Sequence, residues 1–215
     1  MRPVSVCGVW FALALASACM AQEHEWEVGG AGGFGFMRNA TISNPTGSVS
    51  AGFDNRFAAG VVIGQDLFQH FAGEVRYTFR DNDLVLKGAG QKVNLDGNSH
   101  LVHYDLLYYA FGKSSRIRPF AAVGGGIRLF GGTGHEYTNQ PFGDFALLTR
   151  TTQVRPLISV GGGVKVSATS HITVRVDFRD YISPFPENLF ATAPGAKIRG
   201  WLNDFVPLVG VSYVF

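Results

Sequence analysis

Twelve residues that carry charge or a titratable ring recur in segments where polar and apolar residues alternate: Glu27, Glu74, Arg76, Arg80, His103, Asp105, Arg128, Arg155, Lys165, Arg175, Asp177 and Arg179. Alternation puts each of them on the polar face of its segment. Two chemistries compete for such a set. One is acid–base catalysis, with His103 working among carboxylates. The other is a paired ionic network filling a narrow interior, where buried charges must neutralise one another. A serine hydrolase built on one strand would place His and Ser two apart, with an acidic partner to orient the His. Here His103 is followed by Tyr104-Asp105 and His171 by Ile172-Thr173, and no Gly-x-Ser-x-Gly occurs. The spacing therefore favours the network, and no catalytic residue is assigned.

Cofactor and metal patterns fail in the same way. Gly30-Ala31-Gly32-Gly33-Phe34-Gly35 matches a dinucleotide fingerprint, but that site needs a helix opening at the glycines, and no helical period follows. Glycines that thin a strand and let it curve are the simpler reading. His100 and His103 are three apart, on opposite faces of a strand. His24, His70, His135 and His171 are scattered, and both cysteines, Cys7 and Cys19, lie near the N-terminus. No metal or cofactor is expected.

These residues sit on strands. In His171–Arg179, Ile172, Val174, Val176 and Phe178 alternate with Thr173, Arg175, Asp177 and Arg179. Residues 71–80 and 204–215 repeat the period of two, which marks strands with one apolar face. Extended along the chain, the pattern predicts eight strands near 26–37, 55–66, 71–80, 100–111, 119–130, 152–166, 171–179 and 204–215. Long connections, 38–54, 81–99, 131–151 and 180–203, alternate with short turns at 67–70, 112–118 and 167–170. A meander with all its long loops at one end is what an outer-membrane barrel requires. In this phase Gly124, Gly126, Gly161 and Gly163 face inward and leave room for long charged side chains. Gly161 and Gly163 are expected near Arg175 and Asp177. Loop aromatics form a separate group: Tyr137, Phe142 and Phe145 in the third loop, and Tyr181, Phe185, Phe190 and Trp201 in the fourth. Either they offer a binding surface or they pack on one another over the barrel mouth.

Residues 1–21 read as a secretory signal. Arg2 provides the positive start, Val4–Ala16 the apolar run, and Ala16-Ser17-Ala18 and Cys19-Met20-Ala21 the small residues of a cleavage site. Cleavage after Ala21 leaves a single domain, 22–215. A lipoprotein signal ending at Cys19 is the rival, with Ala16 where a larger aliphatic is usual. Basic and acidic residues number 18 and 16, with Arg2 one of the basic ones. That balance offers nothing to nucleic acid. No apolar run beyond residue 21 approaches the roughly 18 residues of a membrane helix.

Arg118-Pro119-Phe120-Ala121-Ala122-Val123-Gly124-Gly125-Gly126 resembles the fifth strand of OmpA/OmpX-type barrel domains. Val160-Gly161-Gly162-Gly163-Val164-Lys165-Val166, the turn Ser167–Ser170 and the charged strand to Tyr181 are similar to that family too. The resemblance implies an all-β, eight-stranded antiparallel transmembrane up-and-down β-barrel without catalytic residues, and no peptidoglycan-binding domain is expected after the eighth strand. It further implies lipid and lipopolysaccharide around the barrel. The implied function is structural or surface-interacting, with any ligand met at loops 131–151 and 180–203. A narrow solute channel and a lipid A-modifying enzyme are the alternatives. The terminal Phe215, in phase with Tyr213 and Val211, resembles the signal by which the barrel assembly machinery recognises such strands. Replacing Phe215 with Asp should therefore sharply lower the amount of protein in the outer membrane. Unchanged yield in membrane fractions would count against that role.

Overall fold

The computed structural model describes residues 26–137 and 139–215. The expected signal peptide and His24 lie outside them. In chain order, β1 (Trp26–Met37) leads into a hairpin, β2 (Ala40–Asn44) and β3 (Gly47–Phe53). Next come β4 (Arg56–Asp66) and β5 (Phe71–Asp81), then a second hairpin, β6 (Leu84–Gly88) and β7 (Gln91–Leu95). They are followed by β8 (Gly97–Tyr109), β9 (Ile117–Gly132) and the short β10 (Ala146–Leu148). The chain ends with β11 (Thr152–Ser167), β12 (Ile172–Pro184), β13 (Phe190–Thr192), β14 (Lys197–Arg199) and β15 (Trp201–Val214).

Eight of these strands close an antiparallel barrel in the order β1-β15-β12-β11-β9-β8-β5-β4. The seam closes at the two ends of the barrel chain. Trp26 N–H donates to the Phe215 carbonyl and Phe215 N–H to that of Trp26, each at 2.9 Å. Every predicted strand is present, but several run further. β12 continues to Pro184 and β15 begins at Trp201. Tyr181 is therefore not a loop residue, as the sequence pattern had it, but a fully buried strand residue.

Burial along β12 is inverted relative to a protein in water. Val176 and Phe178 are 54% and 52% exposed, whereas Arg175 and Arg179 are completely buried. The same holds around the barrel. Val61, Val75, Val102, Val123 and Val209 face outward, with rings such as Trp26, Tyr108, Phe57 and Phe205 toward the two ends. An outer surface of this kind is stable against hydrocarbon, and the interior carries the charge.

The long loops are folded. Strands from three of them form one sheet, β14-β2-β3-β6-β7, and β10 of the third pairs with β13 of the fourth. Each strand is too short to stand alone, so they rely on a shared core. Ile42, Val49, Leu84, Leu86 and Phe142 pack there with Phe130 and Leu202, which project from the mouth ends of β9 and β15. Phe53 bridges the two parts, its ring 5.4 Å from Phe130 and 5.6 Å from Phe190.

Arg at position 176 would meet lipid, and Val176→Arg should cost about 2–4 kcal/mol near the bilayer midplane. The inward change Thr173→Ser should cost less. Urea titrations of the protein refolded into vesicles compare them, and equal tolerance of both would contradict the facing.

Candidate functional site in the barrel lumen

All twelve residues of the polar set face the lumen. Glu74 on β5 is at the centre of a dense cluster. Arg175 reaches its two oxygens at 2.9 and 3.1 Å, Lys165 lies at 2.8 Å and Arg76 at 3.1 Å. Arg76 and Arg175 both also hold Asp177, Arg175 at 3.0 Å through Nε. Glu27 takes Lys165 and, at 3.3 Å, Arg175. Arg179 pairs with Asp105 at 2.8 Å, and the other oxygen of Asp105 meets His103 Nδ1 at 3.0 Å. Glu74, Asp105, Arg175 and Arg179 have no exposed side-chain surface. Each charge is thus matched by an opposite one within a buried interior, the condition under which buried ion pairs persist.

A thin apolar layer lies on the loop side of this cluster: Leu101, Leu157, Tyr181, Val206 and Leu208 pack together with Ala58. Tyr181 also presents its ring edge-on to His103, centroids 5.2 Å apart. Beyond the layer is a second ionic group around Asp204. Arg80 grips it through Nε and Nη2 at 3.1 and 3.0 Å, and Arg128 Nη2 binds it at 3.0 Å. Arg128 further donates to Ser99 Oγ, which donates to Asn82 Oδ1 at 3.1 Å. At the rim Arg56 pairs with Asp81 and Asp83. Burial pushes the Asp83 carboxyl up, against the pull of Arg56.

Asp204, Ser99 and the pair Arg118–Asp66, 2.7 Å apart, were not in the sequence-derived set. Asp204 was within reach of it. It is the first residue of the strand predicted at 204–215, and alternation against Phe205 places 204 inward with 206 and 208. Arg118 was assigned to a turn, whereas β9 begins at Ile117 and carries Arg118 into the barrel over the Tyr109 ring at 3.7 Å.

The inward glycines are where large side chains cross. A Cβ on Gly35 would collide with the Arg80 guanidinium, and one on Gly163 would meet the Phe120 ring at 2.9 Å. The register pairs Gly161 with Arg179 and Gly163 with Asp177, two residues along from the expected neighbours of Gly161. Small residues are needed there because a barrel of eight strands has little interior to spare.

The loop aromatics divide. Phe142, Phe185 and Phe190 are buried in the loop core and Phe145 packs against it, so the capping alternative describes them. Tyr137 and Trp201 are about 60% and 58% exposed. His100 faces outward, accepting or donating at 2.8 Å with the Tyr77 hydroxyl. At the turn end the lumen opens into a polar cavity of about 190 Å³ bordered by Glu27, Asp66, Lys113, Arg118, Lys165 and Thr173. Among the described residues, no group of His, Cys, Asp or Glu has the geometry of a metal site.

The family profile described as "Outer membrane protein beta-barrel domain" matches residues 10–215. No curated protein matches the sequence. Among solved structures, Neisserial surface protein A is 13% identical, with 90% of this chain and 100% of that chain covered at a TM-score of 0.52. Outer membrane protein AlkL, solved in lipid bilayers, is 14% identical, with 90% and 91% covered at a TM-score of 0.53. At such identities the likeness is one of fold.

Arg175 touches three carboxylates, so Arg175→Met should destabilise the barrel by about 3–5 kcal/mol by leaving buried charge unpaired. Adding Glu74→Gln should recover part of that loss. A single variant that unfolds at the wild-type urea midpoint would show that the cluster is hydrated rather than paired.

Proposed function

Because the chain belongs to the outer membrane protein β-barrel domain family, and so to the bacterial outer membrane, we propose that it is a non-enzymatic surface barrel with a closed lumen, acting through its folded loop cap. The observation that carries this reading is continuous side-chain filling from the Glu74 cluster to the loop core. The Glu74 cluster, the apolar layer at Leu101 and Tyr181, the Asp204 group and the loop core follow in sequence. Such a column favours a plug over a channel, since ions would have to displace buried pairs to pass.

The only His–carboxylate contact in the described lumen, His103–Asp105, is sealed on the loop side by Tyr181 and is 3.0 Å long inside the network. Acyl chains in the membrane meet valines and rings instead, which supports a non-enzymatic role. Neisserial surface protein A, by its name, is exposed at a cell surface, and the same position suits this loop cap. Exposed Tyr137 in loop 131–151 and Trp201, on the outward face at the loop end of β15, are the anchors we assign to a surface ligand. Lipopolysaccharide is the lipid we place around the loop-end rings. The assembly machinery would act on the strand ending at Phe215, whose backbone completes the seam with Trp26. Export by a cleaved signal over residues 1–21 completes the proposal.

Planar-bilayer recordings test it. The wild-type protein should show no steady single-channel current, and Arg175→Ala, which removes a buried partner of Glu74, should raise conductance. Large steady currents from the unmutated barrel would replace the plug with a narrow solute channel.

A further inference from the structure

Charge is balanced in one half of the lumen and not in the other. Around Glu74, four carboxylates (Glu27, Glu74, Asp105, Asp177) meet four cations (Arg76, Lys165, Arg175, Arg179). On the loop side of the apolar layer, Arg80, Arg128 and Arg155 have Asp204 alone between them. Asp204 is already gripped by Arg80 through two nitrogens and by Arg128 through one. Arg155 has no carboxylate partner among the described residues. The rim acids offset this only in part, and neither of them pairs with Arg155. Asp81 and Asp83 are both engaged by Arg56, and the Arg56 side chain is 42% exposed to solvent.

The register sharpens the imbalance. Arg155 on β11 and Arg128 on β9 are direct cross-strand partners, and both face inward. Like charges directly opposed on one sheet face destabilise it. Arg128 Nη1 and Arg155 Nε are buried and lack hydrogen-bond partners, as does the buried hydroxyl of Ser183 near the loop end of β12. Every one of these groups can donate. What the site lacks is an acceptor that also carries negative charge; water would satisfy the N–H groups and leave the charge uncompensated.

We propose that the loop-end lumen binds a small inorganic anion, held between Arg128 and Arg155. A halide and phosphate share the required chemistry, being compact, anionic and rich in acceptor sites. Arg155 is the partly exposed member of the pair, so the site is open to exchange from the loop side.

The test uses the full-length protein refolded in detergent. Thermal midpoints are measured in sodium chloride, sodium phosphate and sodium gluconate at equal ionic strength, gluconate being too large for the site. Chloride or phosphate should raise the wild-type midpoint by several degrees and saturably. Arg155→Met should lose that response, and in gluconate it should be at least as stable as the wild type. A response to chloride alone identifies a halide site, and one to phosphate alone an oxyanion site. Equal wild-type midpoints in all three salts would overturn the proposal, as would an undiminished anion response in Arg155→Met. Should that variant fail to refold, wild-type crystals soaked in bromide decide the matter. Anomalous density between Arg128 and Arg155, from bromide or from arsenate soaked in parallel in place of phosphate, supports the site, and its absence from both refutes it.

Discussion

Glu74 sets the terms for much of this molecule. Its carboxylate lies where eight strands leave an interior only as wide as the side chains within it. Lys165 from β11, Arg175 and Arg179 from β12 and Arg76 from its own strand surround it there. Those cations in turn require Glu27, Asp105 and Asp177. Each long side chain then needs a neighbour with none, so Gly124, Gly126, Gly161 and Gly163 line the same strands. The constraint is one of space and charge together.

Hydrocarbon outside the barrel gives the outward valines no reason to cluster, so the fold cannot be held by a conventional core there. In lipid every backbone polar group must be satisfied within the protein, and closure of the β1–β15 seam does this. The polar lumen then selects the register. A one-residue slip of β12 against β11 would turn Arg175 and Asp177 to lipid and bring Val174 and Val176 inside. The ionic network thus acts less as a source of net stability than as a penalty on wrong pairings.

The loop end follows another logic. There Phe130 and Leu202, at the mouth of the barrel, are the first residues of an apolar core that the loop strands complete. Apart from the partly exposed Arg155, the charged interior is bounded by this core on one side and by the Leu101–Tyr181 layer within. Between them lies the Asp204 group, the one part of the lumen whose charges do not cancel.

The sequence by itself determined the strand count, the facing of each strand and the membership of the lumenal set, because alternation is a local property that survives without knowledge of any partner. Eight strands and twelve inward polar residues were legible on that basis. Asp204, the first residue of the strand predicted at 204–215, was left out of the set although alternation against Phe205 marks it as inward. Tertiary structure decided what is not local. Whether Gly161 faces Arg175 or Arg179 depends on the stagger imposed by closing the barrel, and Glu74 meets Arg175 across 101 positions of chain. The loop cap was hidden for the same reason. β10, β13 and β14 span three residues each, too few to show a period, and they become strands only when a distant loop supplies the other edge. Tyr181 shows the boundary between the two kinds of information. Its neighbours Pro184 and Pro186 look like loop, yet the barrel continues past it because β15 extends alongside to Trp201 and pairs with Pro184.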